Sequence, residues 1–279
     1  MDVEFSITQK KRLTELNAGE AACGRTFATT EARNQAFKEL EAALVRENKG
    51  KLSILLDREH LPLILKIEED LTRWLTAEGF TRVTTPIIIT ADMLARMTIT
   101  EDHPLKEQVF WLDAKHCLRP MLAPNLYDLM GSLHRMGHKP VRIFEIGSCF
   151  RKESQGARHM NEFTMLNLVE LSGVSDGAQM ERLTQLAKGA MTAVGIEDYT
   201  LERETSEVYL ETLDIVAGEL ELASGAYGPH PLDGNWGIFD PWVGIGLGLE
   251  RLAMHKGGYQ TIKRAGKSLA YLDGVPLKL

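Results

Sequence analysis

Residues Val141–Leu171, VRIFEIGSCFRKESQGARHMNEFTMLNLVEL, decide how the rest of the chain is read. Val141–Phe150 and Phe163–Leu171 are rich in β-branched and aromatic residues, and a polar run from Lys152 to Asn161 separates them. That pattern predicts an antiparallel hairpin with a long tip. A period of two puts Phe163, Met165, Asn167 and Val169 on one face of the second strand. Asn167 is the polar exception on that face: it is either an amide satisfied by backbone inside a core or a group directed at a ligand. Arg151 and Glu153 stand where the first strand ends, near whatever Asn167 faces. An arginine fork suits phosphate or carboxylate oxygens.

A second stretch, GIGLGLERL (Gly244–Leu252), begins with glycine at every other position. One face of such a strand carries no side chains, so it either packs closely on a helix or lets a flat group lie on its backbone. Glu250 and Arg251 open the helix that follows. Leu249 stands where the dinucleotide fingerprint needs its third glycine, and no Walker A sequence occurs, so neither nucleotide motif applies.

FRKE (Phe150–Glu153), its loop and the strand after it resemble motif 2 of class II aminoacyl-tRNA synthetases, and GLGLER (Gly246–Arg251) resembles motif 3. LRPMLAPNLY (Leu118–Tyr127), FTMLN (Phe163–Asn167) and GELELASG (Gly218–Gly225) narrow the resemblance to the catalytic part of the pyrrolysyl-tRNA synthetases, in their bacterial and short archaeal forms. The resemblance implies an α+β class, the class II synthetase catalytic fold: an antiparallel sheet flanked by helices, with an N-terminal helical appendage. It also implies ATP-dependent activation of pyrrolysine through an aminoacyl-adenylate and transfer to the cognate tRNA.

Carried over residue by residue, the resemblance makes Arg151 and Arg251 the catalytic pair, the first bridging the α-phosphate and the substrate carboxylate, the second meeting the γ-phosphate. Glu153, His159, Phe163 and Gly248 complete the ATP site, with adenine between Phe163 and Arg251. Glu221 and Ser224 match the residues that hold Mg2+. On a regular strand these two would face opposite ways, so the assignment requires a bulge or a strand end. Ala123, Leu126, Tyr127, Met130, Val169 and Trp242 match an apolar amino-acid pocket, with Asn167 and Tyr209 as its polar handles. Ala123, Leu126, Tyr127 and Met130 recur at i, i+3, i+4 and i+7 on one helix, a stripe that would otherwise read as core. Two other readings compete. A different class II synthetase, such as a phenylalanyl-type one, is opposed by the LAPNLY helix and Asn167; an inactive synthetase-like binding protein is opposed by the retention of both arginines.

The 279 residues are 44% hydrophobic, enough for a real core in one large or two small domains. The three cysteines, Cys23, Cys117 and Cys149, lack C-x-x-C spacing and cannot all pair, so neither a disulfide framework nor a zinc site is expected. That fits a reducing cytoplasm. No apolar run approaches the roughly 18 residues of a membrane span. A net charge of −7 opposes nonspecific coating of nucleic acid, DNA included, and leaves local basic patches for a tRNA. One such patch runs from His255 onward, where five basic side chains face one acidic.

In chain order, Ser6 and Gln9 match a capping box ahead of a basic helix with Lys10, Lys11 and Arg12. Thr30 can cap a second helix, striped by Ala32, Ala36, Phe37, Leu40 and Leu44. Residues 1–60 are expected as a helical appendage that touches tRNA, and residues 61–279 as the catalytic domain. Leu61–Glu78 is an amphipathic helix stopped by Gly79. The strand expected over Arg82–Thr90 contains Pro86, which confines it to an edge or an interface. Helix and strand together resemble motif 1, which implies a homodimer. Gln108–Asp113 and His116–Met121 read as a hairpin, Asp176–Val194 as a helix, and Thr212–Ala217 and Glu219–Ser224 as strands about a turn at Gly218. Some relatives carry an extra tRNA-binding domain, so a separate small tRNA-binding protein is a further candidate partner.

Overall fold

The computed structural model describes residues 2–57, 60–152, 160–206 and 209–279. It divides into two compact units, Met1–Pro62 with Ser268–Leu279, and Leu63–Lys267. No helix among the described residues is long and apolar enough to cross a membrane.

The first unit holds β1 (Val3–Glu4), α1 (Ile7–Glu15), α2 (Glu20–Cys23), β2 (Thr26–Phe27) and the long α3 (Thr30–Asp57). Ser6 Oγ accepts from the Gln9 amide at 3.2 Å while Gln9 Oε1 accepts from the Ser6 amide at 2.9 Å, the reciprocal box expected there. The cap of α3 is Thr29, one residue earlier than expected, with its hydroxyl accepting from Ala32 N. Phe5, Leu13 and Ala18 form the core, with Phe27, Phe37, Leu40 and Leu44 packed against them. Arg12 Nε donates to Glu41 at 2.8 Å and joins α1 to α3. The sequence reading kept residues 61–279 together, whereas the last twelve residues pack into this unit. Arg12 donates to Lys278 O and Asn17 to Gly274 O, both at 3.1 Å.

In the second unit α4 (Leu63–Ala77) buries Ile67, Leu71 and Leu75, a stripe at helical spacing. Gly79, at φ +84°, ends it. The expected strand over Arg82–Thr90 is interrupted around Pro86, leaving β3 (Thr81–Arg82) and β4 (Ile88–Thr90). After α5 (Ala91–Arg96) and α6 (Leu105–Gln108) comes β5 (His116–Leu118), which pairs antiparallel with β4. The Gln108–Met121 hairpin is shorter than expected: Gln108 ends a helix, and the two segments pair through an antiparallel bridge between Trp111 and Cys117, with Leu118 N donating to Phe110 O and Leu112 N to His116 O, each at 2.9 Å.

Next come α7 (Ala123–Arg135), β6 (Val141–Phe150), β7 (Glu162–Leu171), α8 (Gln179–Val194), β8 (Thr200–Ser206), β9 (Leu210–Ala217), β10 (Leu220–Gly228), β11 (Trp242–Gly248), α9 (Leu249–Lys256) and α10 (Ile262–Ala265). Seven strands form one sheet in the order β3-β6-β7-β11-β10-β9-β8, antiparallel except for β3 on β6. Strand alternation sorts the sheet into two faces. Leu166, Leu168, Val243, Ile245 and Leu247 pack with α4, α8 and α9. Val169, Leu171 and Trp242 join a second cluster with α7. The face carrying that second cluster bears the cavity described next.

Candidate active site

A cavity of about 360 Å³ lies over β7, β11 and β10. Its floor follows from register. Gly246 sits between Asn167 and Ser224, Gly244 between Val169 and Ala226, and Gly248 beside Met165. With no side chains on the central strand, the flanking strands become the walls of a trough. The space is closely fitted: a Cβ on Gly244 would stand 3.1 Å from Leu168 O, and one on Gly246 would stand 3.3 Å from Asn167 Oδ1. Asn167 Oδ1 is itself buried without a hydrogen-bond partner. A buried amide oxygen in that state favours a ligand polar group beside it.

Charged groups gather toward Gly248. Arg151, Phe163, Glu221, Ser224, Gly248, Glu250 and Arg251 all line the cavity. Arg151 Nε donates to Pro120 O at 2.9 Å, and its guanidinium lies 5.3 Å from the Phe163 ring centre. From the first turn of α9, Arg251 Nη1 donates to the carbonyl oxygen of Glu221 at 3.0 Å and to its carboxylate at 3.1 Å. Glu221 and Ser224 reach the same cavity because β10 carries a bulge between Glu221 and Ala223, where Leu222 has no partner on β9. The bulge lies at Leu222, upstream of Gly225. Ser224 Oγ donates to Asp214 at 2.6 Å. Glu250 is buried, which raises its carboxyl, while the Thr164 amide opposes the rise by donating to both its oxygens at 2.9 and 2.8 Å. That contact fixes the motif 3 helix against the motif 2 strand.

Glu221 and Ser224 offer hard oxygen donors, a set suited to Mg2+. Among the described residues no three His, Cys, Asp or Glu side chains gather as a metal cage. Magnesium commonly takes few protein ligands and leaves most of its shell to water and substrate phosphates, so the residues fit that ion.

Toward Trp242 the cavity turns apolar. Ala123, Tyr127, Val169, Tyr209 and Trp242 line it. Leu126 and Met130, on the same helix as Tyr127, are fully buried in the core and are not among the lining residues. Tyr127 and Trp242 meet edge to face with ring centres 5.5 Å apart, and Tyr209 stands 6.3 Å from Trp242. Burial raises both tyrosine hydroxyls above the ordinary 10.0. Glu153 and His159 lie outside the described residues.

The sequence reading missed Asp233. It sits in the 3-10 turn Pro231–Trp236 with 1% of its surface exposed and accepts from Tyr127 Oη at 2.9 Å and from Trp242 Nε1 at 2.7 Å. In the sequence it is the Asp of an Asp-Gly turn, and nothing local distinguishes it from a solvated one. Met121, Met160 and Ile262 also line the cavity and carried no sequence signal.

Residues 55–271 match the family described as tRNA synthetases class II core domain (F). The O-phosphoserine--tRNA(Cys) ligase of Methanoregula boonei is 27% identical over 154 residues, covering 50% of this chain and 27% of that protein. The lysine--tRNA ligase of Bacillus thuringiensis (strain Al Hakam) is 25% identical over 223 residues, covering 74% of this chain and 42% of that protein. The chain thus spans less than half the length of the curated relatives it matches. A crystal structure of pyrrolysyl-tRNA synthetase from Desulfitobacterium hafniense superposes with TM-score 0.93 at 50% identity, covering 100% of both chains. A second structure of that organism's enzyme gives 0.89 at 49% identity, covering 99% of this chain and 96% of that one. The chain belongs to the class II aminoacyl-tRNA synthetases and, within them, to the pyrrolysyl-tRNA synthetase family.

Proposed function

We propose that this chain activates pyrrolysine with ATP and passes it to its cognate tRNA, in the cytoplasm. One observation carries the reading: a single glycine-floored trough with two arginines and hard oxygen donors toward one end, an aromatic box toward the other, and the unpartnered Asn167 amide oxygen between them. Activation is in-line attack of the amino-acid carboxylate on the α-phosphorus of ATP, forming the adenylate and releasing pyrophosphate. Both reactants are anions, so the protein contributes alignment and positive charge rather than a nucleophile. Arg151 would bridge the carboxylate and the α-phosphate, Arg251 would meet the γ-phosphate, and Phe163 would stack on the adenine. Glu221 and Ser224 would hold magnesium, which when bound neutralises phosphate charge.

The box distinguishes among class II substrates. Free lysine would bury an ammonium, which costs several kcal/mol unless a carboxylate meets it. The carboxylate nearest the box, Asp233, is occupied by Tyr127, Trp242 and the His230 amide. Phosphoserine would need cations there, and Arg151 and Arg251 belong to the other part of the trough. Pyrrolysine carries a neutral amide, which Asn167 can bond, and Tyr209 lines the same box, where it would meet the ring. ATP–pyrophosphate exchange tests this. Pyrrolysine and neutral Nε-acyl lysines should exchange, and lysine should be slower by about a hundredfold, about 3 kcal/mol. Comparable rates with lysine overturn the assignment.

The reading includes a homodimer built on the segment around α4 and β4, where Ile87 and Ile88 are 44% and 53% exposed. A monomeric mass by light scattering at micromolar concentration counts against it. The first unit, and where relatives need one a separate small tRNA-binding protein, would serve the RNA.

A further inference from the structure

We propose that Asp233 positions the aromatic wall of the cavity and so sets which side chains it admits, an inference that rests on reading the cavity as an amino-acid pocket. Asp233 does not line the cavity itself. Its carboxylate takes three donors, two of them from other elements: Tyr127 Oη of α7 on Oδ1 at 2.9 Å, and on Oδ2 both Trp242 Nε1 of β11 and the amide of His230, the cap of its own turn, each at 2.7 Å. Two of those donors belong to rings that do line it.

The chemistry of each donor makes the contact selective. An indole N–H can only donate, so Trp242 in its buried setting, 2% exposed, needs an acceptor where Asp233 stands. Turning the indole over would leave that N–H unpaired in a dry setting. Tyr127, also 2% exposed, is held by the same carboxylate, so the angle between the rings is set from behind. The backbone leaves no slack: a Cβ on Gly228 would collide with both Trp242 Nε1 and Asp233 Oδ2. With every donor in place the carboxylate is satisfied, and a substrate ammonium could reach it only by displacing a ring.

Asparagine discriminates this role from simple filling. In Asp233→Asn the amide oxygen can keep Trp242 and the His230 amide, while the new NH2 faces Tyr127 Oη and forces that hydroxyl to turn its hydrogen away. Asp233→Ala releases all three donors.

The experiment measures KM for an Nε-acyl lysine and for ATP by pyrophosphate exchange. Asp233→Ala should raise the amino-acid KM by about tenfold or more and move the ATP KM by less than about twofold, because the lost contacts orient only the aromatic wall. It should also narrow the preference for a small over a bulky acyl group. Asp233→Asn should show a smaller rise in the same direction, and adding Tyr127→Phe to it should cost less than the two single effects combined, since they share one hydroxyl. Equal shifts in both KM values, no shift, or additive effects overturn the proposal. Should the alanine variant not fold, the asparagine variant and its cycle decide. The Trp242 indole N–H resonance, assigned by its loss in Trp242→Phe, reads the clasp without substrate: it should move in Asp233→Asn, and an unmoved resonance counts against the clasp. No exchange by the unmutated protein would instead sink the functional reading.

Discussion

Arg119 Nη1 lies 2.7 Å from Glu145 Oε1 in the interior, where the two side chains keep 3% and 1% of their exposure. Thr85 donates to the same carboxylate through its amide and its hydroxyl, and Asn125 Nδ2 of α7 donates to the Thr85 hydroxyl and to Pro86 O. The Arg119 carbonyl accepts from Phe150 N, just before Arg151. One buried pair thus joins the Pro86 segment, the pocket helix and the motif 2 strand. Arg119→Met strands a buried carboxylate and should destabilise the fold by about 3–5 kcal/mol in urea denaturation. Adding Glu145→Leu should recover much of that. A loss near zero in the single variant would mean that the charges are not desolvated.

Gly246→Ala tests the floor. The added methyl would stand 3.3 Å from both Asn167 Oδ1 and Met165 Cε, so these side chains must shift by a few tenths of an ångström. The variant should fold, with amino-acid activation reduced by about tenfold or more, as small misplacements of a bound reactant cost rate steeply. Unchanged exchange kinetics would show that substrate does not lie along this strand.

Arg151→Ala should abolish adenylate formation while circular dichroism stays unchanged, because its charge is needed chiefly as the transition state forms. Exchange within about tenfold of the unmutated protein would remove it from that role. Arg251→Ala should weaken ATP use and also free the Glu221 carboxylate that Arg251 now holds.

Asp233 has a pH signature. Burial raises its carboxyl above the ordinary 3.8, against the lowering by Trp242 and Tyr127. The folded chain therefore holds this proton more tightly than the unfolded chain does. Its contribution to stability is fully present below the unfolded value and declines as pH rises through the folded one. Relative to Asp233→Asn, the unmutated protein should lose urea resistance across that window and level off above it. A difference that grows with pH would show that the three donors outweigh burial.

Charging should fall with added salt more steeply than activation does, since counterion release belongs to the RNA step alone. Lys10→Gln with Lys11→Gln should flatten that slope. Arg12, also basic, is a poor choice for the test because it ties α1 to Glu41 and Lys278. Equal salt slopes for both steps would remove this helix from tRNA binding.

The hairpin of β6 and β7, the glycine strand and the caps of α1 and α4 are legible in the sequence because each is written within a few neighbouring residues. Even the bulge in β10 is legible indirectly, since Glu221 and Ser224 cannot share a face without one. The pairing of β5 with β4 is not: Pro86 marks a break, yet nothing in HCL (His116–Leu118) says that it also takes a partner at Ile88–Thr90 besides the segment next door. Leu126 and Met130 share the periodicity of Tyr127, and period alone cannot separate a residue that lines a cavity from one packed behind it. Asp233 escapes notice because its partners lie 106 and 9 residues away, on elements that meet only after folding.

The bulge at Leu222 also bears on which genetic changes the chain can tolerate. Leu222 is 1% exposed, so a conservative apolar exchange there costs packing and little else. Deleting it would return regular pairing with β9 and leave Glu221 and Ser224 two positions apart, still opposite Val216 and Asp214 and still on one side of the sheet. The site therefore depends on parity along one strand, and an in-frame loss of this codon should cost the packing of one buried leucine rather than the meeting of Glu221 with Ser224.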